Sequence, residues 1–543
     1  MGYEPLYDSG VIEFKSPDQT QYVEYFNPEG KEVSRVSNSY TVALAGLRGA
    51  IVDVQSLNGS GKPGFRITGL PDAALSQATD RIRGAYLSCR LRWSGSLMVV
   101  NLAPASVPKK GASLDLAILV ATLRSLKHVK KTFFPRAVFF GELGLDGRIL
   151  PVRGILPMVK TALENGHSEI VVSTGNQAEA KLVRGARVFA FGHVAELVNW
   201  LGGEIAVPKY EKVVEPTLQF DSALPIGDFS DVIGQEQAKW SLEIAAAGGH
   251  HVLMVGPPGT GKSMLASRMP GIMTELSEEE SLEVSSIHSI SGTLRENALI
   301  TVPPFEAPHH SATGPAIIGG GTGIPRPGAV SRAHRGILFM DEAPEFSNLV
   351  LQTLRQPLEN GEVIIDRAQG SARYPSQFQL IMAANPCPCG MDFGNGLRCI
   401  CTSIAKRRYF NRLSGPLLDR VDLNIPVESV HFQNGQNQVG DVSAVIKQRV
   451  SQAQLMAKDR LIKTPWTKNS QVPGSYYRKL LGSDNALLRS LNDIVDKGFL
   501  SLRGADRCIR LSWTLADLEG RTSPNSDDME YAYQLRQDTR NRA

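Results

Sequence analysis

The periods at which apolar and polar positions recur divide the chain into segments. Residues 1–40 are polar and poorly periodic, as in Lys15-Ser16-Pro17-Asp18 and Asn27-Pro28-Glu29-Gly30-Lys31, and read as a peripheral extension. From Tyr40 the pattern changes. Ile51-Val52-Asp53-Val54 and Phe65-Arg66-Ile67 predict strands, residues 73–87 a helix with one polar face, 97–102 a buried strand and 114–126 an apolar helix. Val138-Phe139-Phe140 and Glu169-Ile170-Val171-Val172 add two strands, so residues 41–205 read as an α/β domain. Residues 206–225 predict a linker rich in charge and proline. Over 226–435 short apolar strands alternate with helices, the signature of a largely parallel sheet. Residues 442–461, 476–481, 486–496 and 505–518 predict helices, so 436–525 reads as all-helical, followed by a polar tail over 526–543. The expected fold class is α/β with a helical C-terminal domain.

Composition narrows this picture. At roughly 150 residues per domain, 543 residues suggest three or four domains. With 42% hydrophobic and 21% charged residues the chain is neither disordered nor fibrous. A net charge of +4 is too small for a nucleic-acid coat protein but leaves room for a local basic groove. No apolar run approaches the roughly 18 residues that span a bilayer. Met-Gly-Tyr-Glu-Pro-Leu lacks the basic and apolar regions of a secretory signal, so the expected location is the cytoplasm. Four of the six cysteines lie within fifteen residues, a clustering that in a reducing compartment reads as metal before disulfide.

The strongest chemical signal is His251-Val252-Leu253-Met254-Val255 followed by Gly256-Pro257-Pro258-Gly259-Thr260-Gly261-Lys262-Ser263. It matches G-x-x-x-x-G-K-[ST] between a strand and a helix. Glycines let backbone N–H groups close around phosphates, and the helix N-terminus adds positive potential. Lys262 is placed to reach the β- and γ-phosphates of ATP, and Ser263 to ligate Mg²⁺. Downstream, Gly336-Ile337-Leu338-Phe339-Met340 is an apolar strand ending in Asp341-Glu342. There Asp341 can hold Mg²⁺ or its water shell, and Glu342 can polarise the attacking water. A third strand, 378–384, ends in Asn385, which is either a γ-phosphate sensor or a turn residue. Phosphoryl transfer also needs positive charge on the γ-phosphate, for which Arg420, Arg503 and Arg510 are candidates.

Together these motifs, with Leu417-Leu418-Asp419-Arg420, resemble an AAA+ ATPase. Phe305-Glu306-Ala307-Pro308-His309-His310-Ser311, Ile318-Gly319-Gly320-Gly321, Pro325-Arg326-Pro327-Gly328 and Leu354-Arg355-Gln356-Pro357-Leu358-Glu359 resemble the magnesium-chelatase-like branch. Gly69-Leu70-Pro71-Asp72, Asn101-Leu102-Ala103-Pro104-Ala105 and Gly141-Glu142-Leu143-Gly144 are similar to the bacterial ComM/YifB family, and the likeness spans about residues 41–520. It implies a ring-forming ATPase, hexameric, acting as a DNA helicase in branch migration during recombination and natural transformation. It also implies that residues 256–263 are Walker A, Asp341-Glu342 Walker B, Asn385 sensor 1, Arg420 an arginine finger acting on the neighbouring subunit, and Arg503 or Arg510 sensor 2. The long spacing from Lys262 to Asp341 implies an inserted element. Two positions depart from the family pattern: Glu306 and Trp513 stand where arginines are expected. Residues 41–205 further resemble the Lon protease domain. Ser113 falls near the serine position, but Leu156 stands at the lysine position and cannot act as base, leaving Lys160 one turn later. Peptidase chemistry is therefore not expected, and ring assembly or DNA binding is.

Cys387, Cys389, Cys399 and Cys401 form C-x-C-x9-C-x-C, which suits tetrahedral Zn²⁺ or else leaves four reduced thiols. Around them Arg398, Lys406, Arg407, Arg408 and Arg412 accompany Tyr409 and Phe410, a pattern able to track a phosphate backbone and stack bases, or simply a solvated face. Residues 362–377, with Arg367 and Arg373, read as a hairpin, and His309 and His310 as structural. The expected partners are DNA, single-stranded or branched, and further copies of the chain. The competing reading is a chelatase-type motor that remodels a protein or assists metal insertion.

Overall fold

The computed structural model describes residues 22–26, 32–59, 61–69, 77–107, 109, 111–129, 135–211, 227–294, 298–321, 325–367, 370–394, 396–413, 415–428, 440–482 and 485–537. Leu70-Pro71-Asp72, the linker beyond residue 211 and residues 538–543 of the tail lie outside them.

The N-terminal unit is built on one eight-stranded sheet. Its strands are β1 (Tyr22–Phe26), β2 (Glu32–Ala45), β3 (Arg48–Asn58), β4 (Gly64–Thr68), β5 (Leu97–Ala103), β6 (Val138–Phe139), β7 (Glu169–Ser173) and β8 (Arg187–Phe191). They run β8-β7-β6-β2-β3-β5-β4, with β1 on the start of β2. Helix α1 (Ala78–Ser88) and the wholly buried α2 (Asp115–Ser125) pack on Ala43, Phe139 and Val171. Helix α3 (Ile155–Glu164) packs on Val42, Val138 and Ile170. Neighbouring strand residues point to opposite faces, so α2 and α3 cover opposite sides of the sheet.

Strand β2 begins at Glu32, inside the segment read from sequence as an extension. The alternation is present there, but the inward positions are Ser37, Ser39 and Thr41, all buried, which hydropathy does not register. Ser39 donates to the Ala117 carbonyl at 2.7 Å and so ties the strand to α2.

The second unit holds a five-stranded sheet of β9 (Val252–Val255), β10 (Phe305–Glu306), β11 (Ile337–Met340), β14 (Gln379–Ala384) and β15 (Leu423–Pro426). A separate antiparallel hairpin, β12 (Glu362–Arg367) and β13 (Gly370–Pro375), precedes β14. The sheet is fully parallel in the order β10-β11-β14-β9-β15. Counted by position in the chain this is 5-1-4-3-2, and it fits an AAA+ core. Every residue of β11 and β14 is buried, as parallel strands covered on both faces require. Helix α4 (Glu236–Gly248) flanks β15, and α5 (Lys262–Arg268) leaves β9.

Helix α6 (Glu278–Ser291) starts with a Ser277/Glu280 capping box and joins the two units by packing against α3. Leu282 and Leu294 extend the α3 cluster, Ser289 donates to Glu179 at 2.5 Å, and Arg184 pairs with Glu278. Gly46, at the β2–β3 turn, faces the Arg373 backbone so closely that a Cβ would collide with it.

The C-terminal helices are α9 (Ser443–Leu461), α10 (Gly474–Leu481), α11 (Ala486–Asp496), α12 (Leu502–Leu518) and α13 (Ser526–Arg536). Two short helices, α7 (Arg355–Asn360) and α8 (Ser403–Asn411), lie within the second unit. One apolar cluster runs from β9, β14 and β15 into α9, α12 and α13, so the helical unit is fastened to the sheet. The polar tail expected from residue 526 is instead a capped helix. Its apolar stripe is only Met529, Ala532 and Leu535, too thin for hydropathy to reveal. Among the described residues no helix is long and apolar enough to cross a membrane.

Candidate active site

The phosphate loop follows the C-terminal end of β9. Gly259 and Gly261 take φ values of +78° and +87°, which glycine adopts without strain. Gly256 lies against the Val427 carbonyl, where a Cβ would collide. Gln235 braces the loop by donating to the carbonyls of Thr260 at 3.3 Å and Glu428 at 2.5 Å. The Lys262 ammonium lies across the loop and donates to the carbonyls of Gly256 at 2.6 Å and Pro257 at 2.7 Å, and to Asn385 Oδ1 at 3.2 Å. Burial lowers its pKa, and the carboxylates of Asp341 and Glu342 oppose that shift.

Asp341 and Asn385 leave the ends of neighbouring strands. Ser263 Oγ donates to Asp341 Oδ2 at 2.6 Å, and the Glu342 amide donates to Asp341 Oδ1 at 3.0 Å. The hydroxyl and the carboxylate make an all-oxygen pair, the hard donor set that Mg²⁺ prefers. The glycine cradle and Lys262 fit a polyphosphate. The five residues Lys262, Ser263, Asp341, Glu342 and Asn385 therefore converge on one place. Pro258 and Thr260 complete the loop's turn, where Thr260 Oγ1 donates to Pro257 at 2.9 Å.

Glu342 sits in the left-handed region at φ 50°, uncommon for a residue with a side chain. His310 Nδ1 is 3.4 Å from its carboxylate. Sequence reasoning gave His310 no place here. The usable signal was register: β10 adjoins β11, so the chain leaving β10 must pass the residues leaving β11. Of the two departures from family pattern, Glu306 pairs with Arg332 at 2.8 Å, and Trp513 stacks on Tyr477 beneath Arg460.

The candidate arginines gather elsewhere. β9 and β15 are parallel neighbours, with Val252 opposite Leu423 and Val255 opposite Pro426. Gly256 lies past the C-terminal end of this pair and Arg420 before its N-terminal end, about 10 Å of strand apart. Arg420 pairs with Glu359 of α7, and neighbouring positive charge from Arg507, Arg503 and Arg355 adds to burial in lowering its pKa. Its segment is gripped by the C-terminal helices. Arg503 lies 3.9 Å from Asp419, Arg507 donates to the Arg420 carbonyl at 2.9 Å and pairs with Asp422, and Arg536 donates to the Val421 carbonyl at 2.5 Å. Arg503 is exposed beside Arg420, whereas Arg510 is half-buried near Asp422, Asp506 and Tyr477.

Family models match most of this architecture. The magnesium chelatase subunit ChlI model covers residues 228–435, a second model of that subunit 52–176, and its C-terminal model 440–536. A Mycobacterium tuberculosis protein is 42% identical over 92% of this chain and 99% of its own length. Competence protein ComM of Haemophilus influenzae is 37% identical over 89% of this chain and 93% of its own length. YifB of Escherichia coli is 37% identical over 88% and 93%. The chain belongs to the ComM/YifB family. It is a magnesium-chelatase-like AAA+ ATPase of that type. The 38 kDa magnesium-chelatase subunit of Rhodobacter capsulatus is more distant, 26% identical over 32% of this chain and 54% of its own length.

Other features expected of this ComM/YifB member behave differently. Of the basic loop, Arg398, Arg407 and Arg408 are exposed, but Lys406 pairs with Asp392 and Arg412 with Glu345. Tyr409 and Phe410, read as able to stack bases, are buried in the core instead. Residues 362–375 do form a hairpin, with Val363, Ile365, Ala372 and Tyr374 inward and Arg367 and Arg373 outward. In the N-terminal unit Leu156 is fully buried, and its amide donates to Glu179 at 3.4 Å. Lys160 points to Glu164 on the exposed side of α3, across the sheet from the α2 face that Ser113 precedes.

Proposed function

We propose that the protein is a Mg²⁺-dependent ATPase that assembles as a ring, hexameric in expectation, and drives branch migration on DNA in homologous recombination or natural transformation. The separation of Arg420 from the phosphate loop carries the ring part of this reading, and the likeness to competence protein ComM supports the part concerning DNA. A finger mounted at the opposite end of the sheet serves a neighbour's nucleotide, so a complete site needs two copies of the chain. Within one copy, Lys262 and the loop amides hold the β- and γ-phosphates, and Asn385 positions the γ-phosphate. Bound Mg²⁺, on Ser263 and Asp341, supplies positive charge at the phosphate oxygens. Glu342 takes the proton of the attacking water, and Arg420 of the neighbour, with Arg503 beside it as sensor 2, meets the charge that develops on the transferred group. The exposed Arg367, Arg373, Arg398, Arg407 and Arg408 supply the phosphate contacts to DNA. The N-terminal unit, Lon-like without a dyad, supports the ring, and the protein works in the cytoplasm. The cysteine cluster suits Zn²⁺.

The test is ATP hydrolysis with and without single-stranded and four-way-junction DNA, with Glu342→Gln as control. Stimulation by DNA is expected. A rate indifferent to every DNA tried replaces this reading with the second one, a chelatase-type motor acting on a protein, which the three chelatase-subunit matches favour.

A further inference from the structure

The four clustered cysteines have a geometry of their own. The Sγ atoms of Cys387, Cys389 and Cys399 are separated by 3.3, 3.7 and 3.8 Å, and all four sulfurs, Cys401 included, lie within 4.8 Å of one another. Thiolates around tetrahedral Zn²⁺, at about 2.3 Å each, stand about 3.8 Å apart. Cys387 is buried, and the other three are partly covered.

The surroundings carry the complementary charge. Four thiolates and Zn²⁺ sum to two negative charges, with four protons released on binding. Helix α8 starts immediately after Cys401, capped by Thr402 Oγ1, which accepts from the Ala405 amide at 3.2 Å. Its N-terminus therefore offers positive potential beside the cluster. Lys406 is held next to the loop by Asp392 at 2.5 Å.

The loop is also built into the nucleotide site. Cys387 follows Asn385 by two residues, and Asn385 bonds Lys262. Gly390, at φ +75°, rests on Pro258 of the phosphate loop, where a Cβ would fall 2.8 Å from Pro258 Cδ. At its far end Arg412 donates to the Pro344 carbonyl at 3.1 Å and to Glu345 at 2.9 Å, just beyond Asp341-Glu342. The cysteine loop thus adjoins Asn385 and the phosphate loop directly, and α8, into which it leads, ends on the segment after Asp341-Glu342.

We propose that Cys387, Cys389, Cys399 and Cys401 hold one structural Zn²⁺ that seats the phosphate loop and Asn385, so that loss of the ion weakens nucleotide binding. The coupling half rests on the ATPase reading, and the metal half stands without it.

The experiment uses the full chain, purified under reducing conditions. Zinc content is measured by plasma mass spectrometry, and Co²⁺ exchange is followed through thiolate-to-cobalt charge-transfer absorption. Affinity for a fluorescent ATP analogue is measured before and after chelation. One zinc per chain is expected in wild type and in Cys89→Ser/Cys508→Ser, with under a tenth of that in Cys399→Ser/Cys401→Ser. Depletion of the wild-type protein raises the nucleotide Kd by about tenfold, and added zinc restores it. Because the depletion arm uses the native sequence, a failure of the serine variant to fold does not affect the result. Wild-type chain that takes up no metal from added Zn²⁺ overturns the site. An unchanged Kd on depletion overturns the coupling. Full zinc in a wild-type chain that binds no nucleotide supports the site and sinks the ATPase reading.

Discussion

Arg507→Ala tests whether the helical unit is the mount for Arg420, the arginine finger proposed above. Arg507 and Asp422 are 14% and 3% exposed, and their ion pair sits where α12 meets the turn before β15. Burial raises the Asp422 pKa, but Arg507 and His250 reverse this and hold the carboxyl well below its usual range. Removing the guanidinium strands a buried carboxylate, at a cost of about 3–5 kcal/mol. The His251 amide, which donates to Asp422 at 3.1 Å, remains and keeps the cost near the lower end. At roughly 2–4 °C per kcal/mol the melting midpoint falls by about 6–15 °C. The Arg420 carbonyl loses its donor as well, so ATP turnover falls more than the folded fraction does. The assay is a double-mutant cycle with Asp422→Ala, read by thermal unfolding, with turnover measured well below every midpoint. A coupling above about 2 kcal/mol and slowed turnover are expected, because neighbours sharing one buried contact are strongly non-additive. Arg507→Ala with wild-type midpoint and rate refutes the mount.

Lys262→Ala abolishes nucleotide binding, whereas Glu342→Gln binds ATP and fails to turn it over; equilibrium binding and phosphate release separate the two. Arg420→Ala is inactive alone and regains part of its activity when mixed with Glu342→Gln, since each variant supplies what the other lacks; no gain at any mixing ratio removes the shared site. His310→Ala frees Glu342 from its neighbour at 3.4 Å and raises basal hydrolysis a few-fold, and a steady-state rate at or below wild type contradicts this. Burial lowers the His251 pKa to about 4, and its Nδ1 accepts from the Leu380 amide at 3.0 Å. The unfolded chain takes up a proton near pH 6.5 that the folded chain refuses until about pH 4. The stability present above pH 6.5 is therefore lost as pH falls between these values, on the order of 3 kcal/mol. His251→Asn flattens that part of the melting-temperature profile, and an unchanged slope assigns the loss to other groups.

The phosphate loop and the Asp341-Glu342 strand were legible because their chemistry is local: a glycine pattern and an apolar strand are written in consecutive residues. Residues 37–41 of β2 and α13 were not, because their buried positions are the hydroxyls of Ser37, Ser39 and Thr41 and the thin stripe Met529, Ala532 and Leu535, which carry little hydropathy signal. His310 at Glu342 and the burial of Tyr409 and Phe410 depend on which strands adjoin and which way a helix faces. Sequence order alone carries neither.

The placement of Arg420 belongs to the same class, and it is where function depends most on topology. In a sheet ordered 5-1-4-3-2 the fifth strand lies beside the first and runs the same way. A residue before the fifth strand is therefore held at the end of the sheet away from the phosphate loop, whatever its side chain. An arginine there is held away from its own phosphate loop, the placement that the proposed shared site requires. The grip of Arg507 and Arg536 on residues 420–422 means that any swing of the helical unit also moves Arg420. In the ring proposed above, this linkage makes the Asp419–Asp422 turn the segment through which movement of one subunit's helical unit reaches the neighbour's site.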